Sequence, residues 1–328
     1  LTVADAVNIG RVAVTGAMGV NGVWVLRAFI SRGVEVLALD INEDYSLAPE
    51  LCGNIAFDRV DVTRPHELEK AFSAFAPEAV VHMAALLPAE SQSDPFRGYQ
   101  LNVMATANVF EAAKNHGVKR VVMASSKAAY GNMPDEFGYP AYRPVKEVDR
   151  CNPVAVYDYS KIAAEGLGIN FARNDSFEFA ALRFATIYGP GKVGRHGPMS
   201  IASALIESAI AGETYELERG GDECDDYIYA EDAGAALAVV ALHDQPLEHN
   251  LYNVGLGEAV SLAEYAKTVE SVIPQAKTNI GTGLDPMGAG VSYYYVFDCA
   301  RMREEFNFTP RSLEAGMAAF VDFSMQAG

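Results

Sequence analysis

Two residues four positions apart, in the stretch "YDYSK", carry the pattern with the clearest chemistry: Tyr157 and Lys161. If the chain after Pro153 is helical, both side chains leave one face, a turn apart. A free phenol titrates near pH ~10, too high for a base at neutral pH. An ammonium beside it stabilises the phenolate, which makes Tyr157 a usable acid/base. Tyr159 lies two residues from Lys161 and points elsewhere. Such a pair also occurs on ordinary surface helices, so it needs company. The segment "MASSKAAYG" (123–131) supplies it. There Ser126 would donate a hydrogen bond to the oxygen that Tyr157 protonates or deprotonates. Ser125 is the alternative.

These groups must be held by a scaffold, and the first half of the chain predicts one. Short apolar runs at 11–15, 34–39, 55–60, 79–84 and 120–125 read as buried strands. Amphipathic stretches at 20–32, 66–75 and 95–116 read as helices, and Gly33 and Gly117 follow two of them as stops. Strand–helix alternation implies an α/β fold, a Rossmann-type doubly wound parallel sheet with helices on both faces. Ser126 then falls at the strand-end edge where such sheets bind ligands. After about residue 185 the pattern changes, beginning with the loop "YGPGKVGRHGPMS" (188–200). Helices near 200–211, 231–242 and 312–325 and a strand near 225–229 suggest a smaller α/β substrate domain over 185–328. Residues 1–184 form the larger domain, with about 223–243 returning to it.

Between the first strand and the first helix stands T15-G16-A17-M18-G19-V20-N21-G22. In that context Gly16 makes a tight turn, Gly19 lets backbone approach a pyrophosphate, and Gly22 lets helix and strand pack closely. The phosphates would meet the free N–H groups of the helix N-terminus. Asp40 closes the second strand, where a carboxylate takes adenine-ribose hydroxyls and repels a 2′-phosphate. Ile41 and Asn42 supply no cation for such a phosphate, so the expected cofactor is NAD rather than NADP.

Composition sets limits on partners. The chain has 328 residues, half of them apolar, enough for two domains with cores. A net charge of −18 excludes a nucleic-acid partner and adsorption to anionic membranes. No signal-like segment opens the sequence and no apolar run reaches a membrane span, which predicts a soluble, cytoplasmic protein. Four scattered cysteines and six scattered histidines show no metal-type spacing, so reduced thiols and no metal are expected.

Taken together, TGxxGxxG, Asp40, Asp61-Val62, "HMAA" (82–85), Asn102, "SSKAAYG" and YxxxK occur in family order. The chain resembles the extended short-chain dehydrogenases/reductases, the group of NAD-dependent sugar-nucleotide epimerases and dehydratases. Later stretches agree: "LRFATIYGPG", "DDYIYAEDAGAA" and "YNVG". The resemblance implies that Gly16, Gly19 and Gly22 cradle NAD pyrophosphate while Asp40 holds the ribose. Asp61 and Val62 would border the adenine, and Ala84 and Ala85 line the cleft. Lys161 would also hold the nicotinamide ribose, Tyr157 act as acid/base, Ser126 assist it, and Asn102 support the catalytic group. Helices around 95–116 and 157–173 resemble the pair that forms a homodimer interface in this group, although their apolar stripes also suit plain core.

Departures from the pattern narrow the reaction. An arginine typically precedes the Asp-Tyr-Ile stretch in sugar-nucleotide epimerases, and here Asp225 holds that place. From 212 to 285 there are three basic residues against fifteen acidic ones, which suits a nucleotide diphosphate poorly. Arg143, Lys192 and Arg195 are the candidate cations for an acidic substrate or a diphosphate. Dehydratases of this group carry Asp-Glu after the catalytic hydroxyl; here Lys127 and Ala128 follow Ser126, which argues against 4,6-dehydration. Tyr139, Tyr142 and Arg143 stand in a long aromatic loop that would form either a substrate wall or plain surface. The expected function is NAD-dependent oxidation of a small polar substrate: a sugar, sugar acid, polyol or hydroxy acid. The alternative is an NAD-dependent epimerase; a non-catalytic NAD-binding regulator is a third reading, which the intact Tyr157, Lys161 and Ser126 set disfavours.

Overall fold

The computed structural model describes residues 8–174, 176–197 and 200–327. Its frame is a seven-stranded sheet. β1 (Arg11–Thr15) leads through the glycine turn to α1 (Gly22–Ile30), followed by β2 (Glu35–Asp40) and β3 (Ala56–Arg59). Next come α2 (Pro65–Phe75), β4 (Ala79–His82), the short helices α3 (Pro88–Ser93) and α4 (Pro95–Tyr99), and α5 (Thr106–Asn115). β5 (Arg120–Ser126), α6 (Val156–Arg173) and β6 (Glu178–Phe184) complete the first half.

The order is β11-β6-β5-β4-β1-β2-β3, with β11 spanning Leu251–Val254. Every pairing in it is parallel. The connections reverse direction between β1 and β4, and that switch point opens a crevice at their carboxyl ends. Alternation along the strands fills both faces. Val12 and Val14 pack with Trp24, Phe29 and Leu237 on one side. Ala13 packs with Phe72, Phe110 and Phe179 on the other.

The remaining elements are β7 (Thr186–Tyr188), α7 (Lys192–His196), α8 (Ile201–Ala211), β8 (Thr214–Leu217), β9 (Cys224–Asp225) and β10 (Tyr227–Tyr229). They continue with α9 (Ala230–Leu242), β11, β12 (Val260–Ser261), α10 (Leu262–Val272), β13 (Lys277–Ile280), α11 (Ala300–Phe306) and α12 (Leu313–Ala327). Short pairs β7–β10, β9–β12 and β8–β13 build small sheets, and a separate core gathers Leu205, Tyr265, Val269 and Phe320. The later chain also enters the main layer: α9 packs on α1, and β11 pairs with β6 beyond the 223–243 stretch.

Two strands of the frame, β6 and β11, were not among the runs expected from the sequence. The stretch 95–116 is not one helix either: a π-helical segment, Gln100–Ala105, separates α4 from α5. All four cysteines are free thiols. Among the described residues no helix is long and apolar enough to cross a membrane.

Candidate active site

The crevice at the switch point is a cleft of about 790 Å³. Gly16, Gly19, Gly22, Asp40, Asp61, Val62, Ala84, Ala85, Ser125, Ser126, Tyr157, Lys161, Lys192 and Arg195 all line it. Local packing explains the glycines. Gly16 has φ +67°, and a Cβ there would stand 2.8 Å from the Ala84 nitrogen. At Gly22 a Cβ would stand 2.3 Å from the Gly16 carbonyl oxygen. The turn therefore closes only with bare backbone.

The residues present fit a dinucleotide. α1 has no side-chain cap on its first N–H groups. Asn21 Oδ1, at its start, is buried without a hydrogen-bond partner. Asp40 sits where a ribose would reach it. Its Oδ2 accepts from Met18 N at 2.9 Å and its Oδ1 from Ile41 N at 2.8 Å, which ties the glycine turn to the end of β2. His82, behind the cleft, bridges Thr15 Oγ1 (2.7 Å) and Thr106 Oγ1 (2.9 Å). Burial drives its pKa down to about 3, so it serves as a neutral brace.

α6 begins at Val156 because Asp158 reaches back to the backbone N–H groups of Val154 and Ala155, at 3.1 and 3.0 Å. This sets Tyr157 and Lys161 on one face. Lys161 Nζ donates to the Ala124 carbonyl at 2.9 Å and lies 5.5 Å from the Tyr157 ring centroid. Burial brings Lys161 down to about 8, opposed by the charge of Glu165. The expectation of a lowered phenol is corrected: burial pushes Tyr157 up to about 12, and the Ser126 hydroxyl works against that rise. In the closed cleft desolvation of the phenolate outweighs its neighbours.

One helical turn beyond Lys161, Glu165 anchors the helix. Its Oε1 accepts from Ser125 Oγ at 2.6 Å and from Arg183 Nε at 2.9 Å, and its Oε2 accepts from Arg183 Nη2 at 2.6 Å. This separates the two serines. Ser125 commits its O–H to Glu165, whereas Ser126 Oγ accepts from Ala128 N at 3.1 Å and keeps its own proton to donate.

Two assigned residues stand elsewhere. Asn102 lies in the π-helical segment, buried and outside the cleft lining. Its Oδ1 accepts from Leu86 N at 2.7 Å, and its Nδ2 donates to Leu86 O at 3.1 Å and Ser160 Oγ at 3.1 Å. It positions the loop after β4 against α6 and touches no reacting atom. Arg143 is also outside the cleft, over the Phe137 ring and paired with Glu136 at 2.9 Å. Tyr142 is held by Glu223 and Cys224, and Tyr139 is exposed, so that loop supplies no wall to the cleft. Conversely, Leu86, Ile187, His196 and Arg97 line the cleft without having been singled out. Leu86 lies in the loop after β4, and Arg97, Ile187 and His196 lie in the short elements α4, β7 and α7, where no spacing of reactive residues marks them.

Asp225, in place of the arginine, is buried and fully engaged. Both its oxygens lie 2.6 Å from Lys127 Nζ, and Thr186 Oγ1 donates to Oδ2 at 2.6 Å. Lys127 Nζ also stands 5.5 Å from the Tyr294 ring centroid.

A doubly wound sheet with this glycine turn, Asp40 and the Tyr157–Lys161 pair defines an NAD-dependent enzyme of the extended short-chain dehydrogenase type. The chain belongs to the NAD dependent epimerase/dehydratase family, whose model matches residues 12–255. It is 27% identical over 320 residues to the UDP-glucose 4-epimerase of Mycolicibacterium smegmatis, covering 95% of this chain and 98% of that one. The Thermus thermophilus UDP-glucose 4-epimerase complexed with NAD superposes with a TM-score of 0.79 at 26% identity, covering 97% and 100% of the two chains. L-threonine dehydrogenase from Clostridium difficile reaches 0.82 at 20% identity over 98% and 99%, a likeness of fold alone.

Proposed function

We propose that the protein oxidises a secondary alcohol or hemiacetal carbon of a small polar substrate: a sugar, sugar acid, polyol or hydroxy acid. NAD, when bound, supplies the hydride acceptor. Tyr157 takes the hydroxyl proton as the carbonyl forms, acting as the phenolate, whose cost of burial Lys161 and the positive nicotinamide ring of bound NAD would offset. Ser126, its own proton free, donates a hydrogen bond to the same oxygen. Lys161, held by the Ala124 carbonyl, places positive charge beside the phenolate and would hold the nicotinamide ribose.

The observation that carries the substrate class is the Lys127–Asp225 pair. Where sugar-nucleotide epimerases resembling this chain carry an arginine, a buried carboxylate is already neutralised by the chain's own lysine. Phosphoryl oxygens want fixed cationic forks, and this position offers them none.

A second reading, an NAD-dependent sugar-nucleotide epimerase, has the stronger support from the related proteins. The M. smegmatis and T. thermophilus relatives are both named UDP-glucose 4-epimerases. Under it the carbonyl formed at Tyr157 is transient and is reduced again on its other face. One assay separates the two: purified protein with NAD, UDP-hexoses in one set and unphosphorylated sugars, aldonic and uronic acids and polyols in another. Accumulating NADH with an unphosphorylated compound is the expected result. Interconversion of UDP-hexoses without net NADH makes the protein an epimerase.

We also infer a homodimer through α4, the π-helical segment and α6. Phe96, Tyr99, Met104 and Tyr159 are 81%, 41%, 62% and 49% exposed on those segments, an apolar face suited to a second copy.

A further inference from the structure

We propose that Lys192 is the receptor for an oxyanion bound in the cleft. The inference rests on the enzyme reading only where that oxyanion belongs to the substrate.

The charged side chains around the cleft are mostly spent. Lys161 is held by the Ala124 carbonyl and faces Tyr157. Lys127 is neutralised by Asp225. Arg195 pairs with Asp44 at 2.7 Å and donates to the Met18 carbonyl at 2.7 Å. Lys192 differs. It is 4% exposed, it lines the cleft, and among the described residues its Nζ has neither an ion-pair partner nor a hydrogen-bond acceptor. Glu207 on α8 is half-buried with its Oε1 unpartnered, and among the described residues it makes no ion pair with Lys192.

An ammonium taken out of water without a counter-charge is unfavourable, and burial alone draws the Lys192 pKa down to about 7. An anion entering the cleft reverses that balance, because the desolvated lysine then gains a partner in a region of weak screening. Lys192 is also well placed to stay there. Gly191 turns the chain with φ +78° into α7, and one turn later Arg195 braces that helix on the glycine turn through Met18. Lys192 lines the same cleft as Gly16, Gly19 and Gly22 and as Ser126 and Tyr157, so a cofactor pyrophosphate and an acidic group on a substrate are the two oxyanions to test.

Calorimetric titrations of the full chain and its Lys192→Met and Lys192→Arg variants test this, with thermal midpoints to verify folding. NAD and ADP-ribose are the cofactor-side probes. D-gluconate, with D-glucitol as its neutral control, is titrated into protein saturated with NADH. Lys192→Met should weaken one class of oxyanion about 10–100-fold, while Lys192→Arg restores most of the loss and glucitol is indifferent. A loss shared by NAD and ADP-ribose identifies the pyrophosphate; a loss confined to gluconate identifies a substrate carboxylate. If the variant binds NAD and ADP-ribose like the parent and no gluconate binding depends on residue 192, the proposal is overturned. The cofactor arm needs no turnover, so its outcome is independent of which reaction the enzyme performs.

Discussion

Lys127 and Asp225 lie 98 residues apart in the chain, yet the lysine ammonium sits 2.6 Å from each carboxylate oxygen. A carboxylate buried at Asp225 needs a cation, and the residue following Ser126 provides it. With side chains only 15% and 5% exposed, neither charge is well hydrated on its own.

Breaking this pair from one side should therefore be far worse than removing both partners. Asp225→Ala leaves Lys127 uncompensated and is expected to destabilise the protein by about 3–5 kcal/mol. Lys127→Met combined with Asp225→Ala should lose much less than the sum of the single changes. Urea unfolding of the four proteins gives the coupling directly, and additive losses would show that the pair does not act as a unit.

Tyr157→Phe removes the proposed proton acceptor and little else. Turnover should fall by about 10²–10⁴, with NAD affinity nearly unchanged. Steady-state rates together with an NAD titration decide this, and a variant that turns over like the parent removes Tyr157 from its role.

In the glycine turn, Gly22→Ala would drive a methyl group to 2.3 Å from the Gly16 carbonyl oxygen. Backbone must move to admit it. A loss of about 1–3 kcal/mol in stability is expected, with a clear loss of NAD affinity. Gly166→Ala on α6, where a Cβ meets nothing within 4 Å, is the control and should bind NAD normally.

Lys192 imposes a pH dependence whose sign follows from its shift. Its folded-state pKa, about 7, lies below the unfolded value of 10.5. Between those values the unfolded chain binds the extra proton, so this group's contribution to stability rises with pH. Its penalty is largest below pH ~7 and fades towards pH ~10. Lys192→Met should accordingly exceed the parent in stability most at pH ~6.5 and least at pH ~9.5. Denaturant midpoints at both values test it, and an advantage that grows with pH contradicts it.

The exposed apolar face of α4 and the π-helical segment should hold two copies together. A Phe96→Glu, Met104→Glu variant is expected to sediment as a monomer where the parent sediments as a dimer. A monomeric parent would remove the inference.

Much of this was readable from the sequence, because regular elements announce themselves by periodicity. β1 and its glycine turn were plain: an apolar run meets residues that only a tight turn requires. β6 was not, since Arg183 interrupts its apolar pattern, and the buried Glu165 that accommodates it lies on another element. β11 (Leu251–Val254) carries Asn253 within its four residues, so no apolar run marks it. The π-helical segment escaped because helical spacing alone does not reveal the register change at Gln100–Ala105. In the site, Tyr157, Lys161 and the glycines follow from local spacing. The place of Arg143 outside the cleft, and the Leu86 and Ser160 partners of Asn102, were not legible because they are matters of three-dimensional placement. The upward shift of Tyr157 depends on burial, which no pair of residues displays.

Tyr157, Lys161 and Glu165 stand at intervals of four along α6, with the reactive residue at one end and the ion-paired anchor two turns away. Eight residues of helix measure about 12 Å, so a tilt of about 5° about Glu165 would swing the phenol by roughly 1 Å, a misplacement of the size that can cost a hundredfold in rate. The Glu165–Arg183 pair at one end and the Asp158, Ser160 and Lys161 contacts at the other together oppose such a tilt.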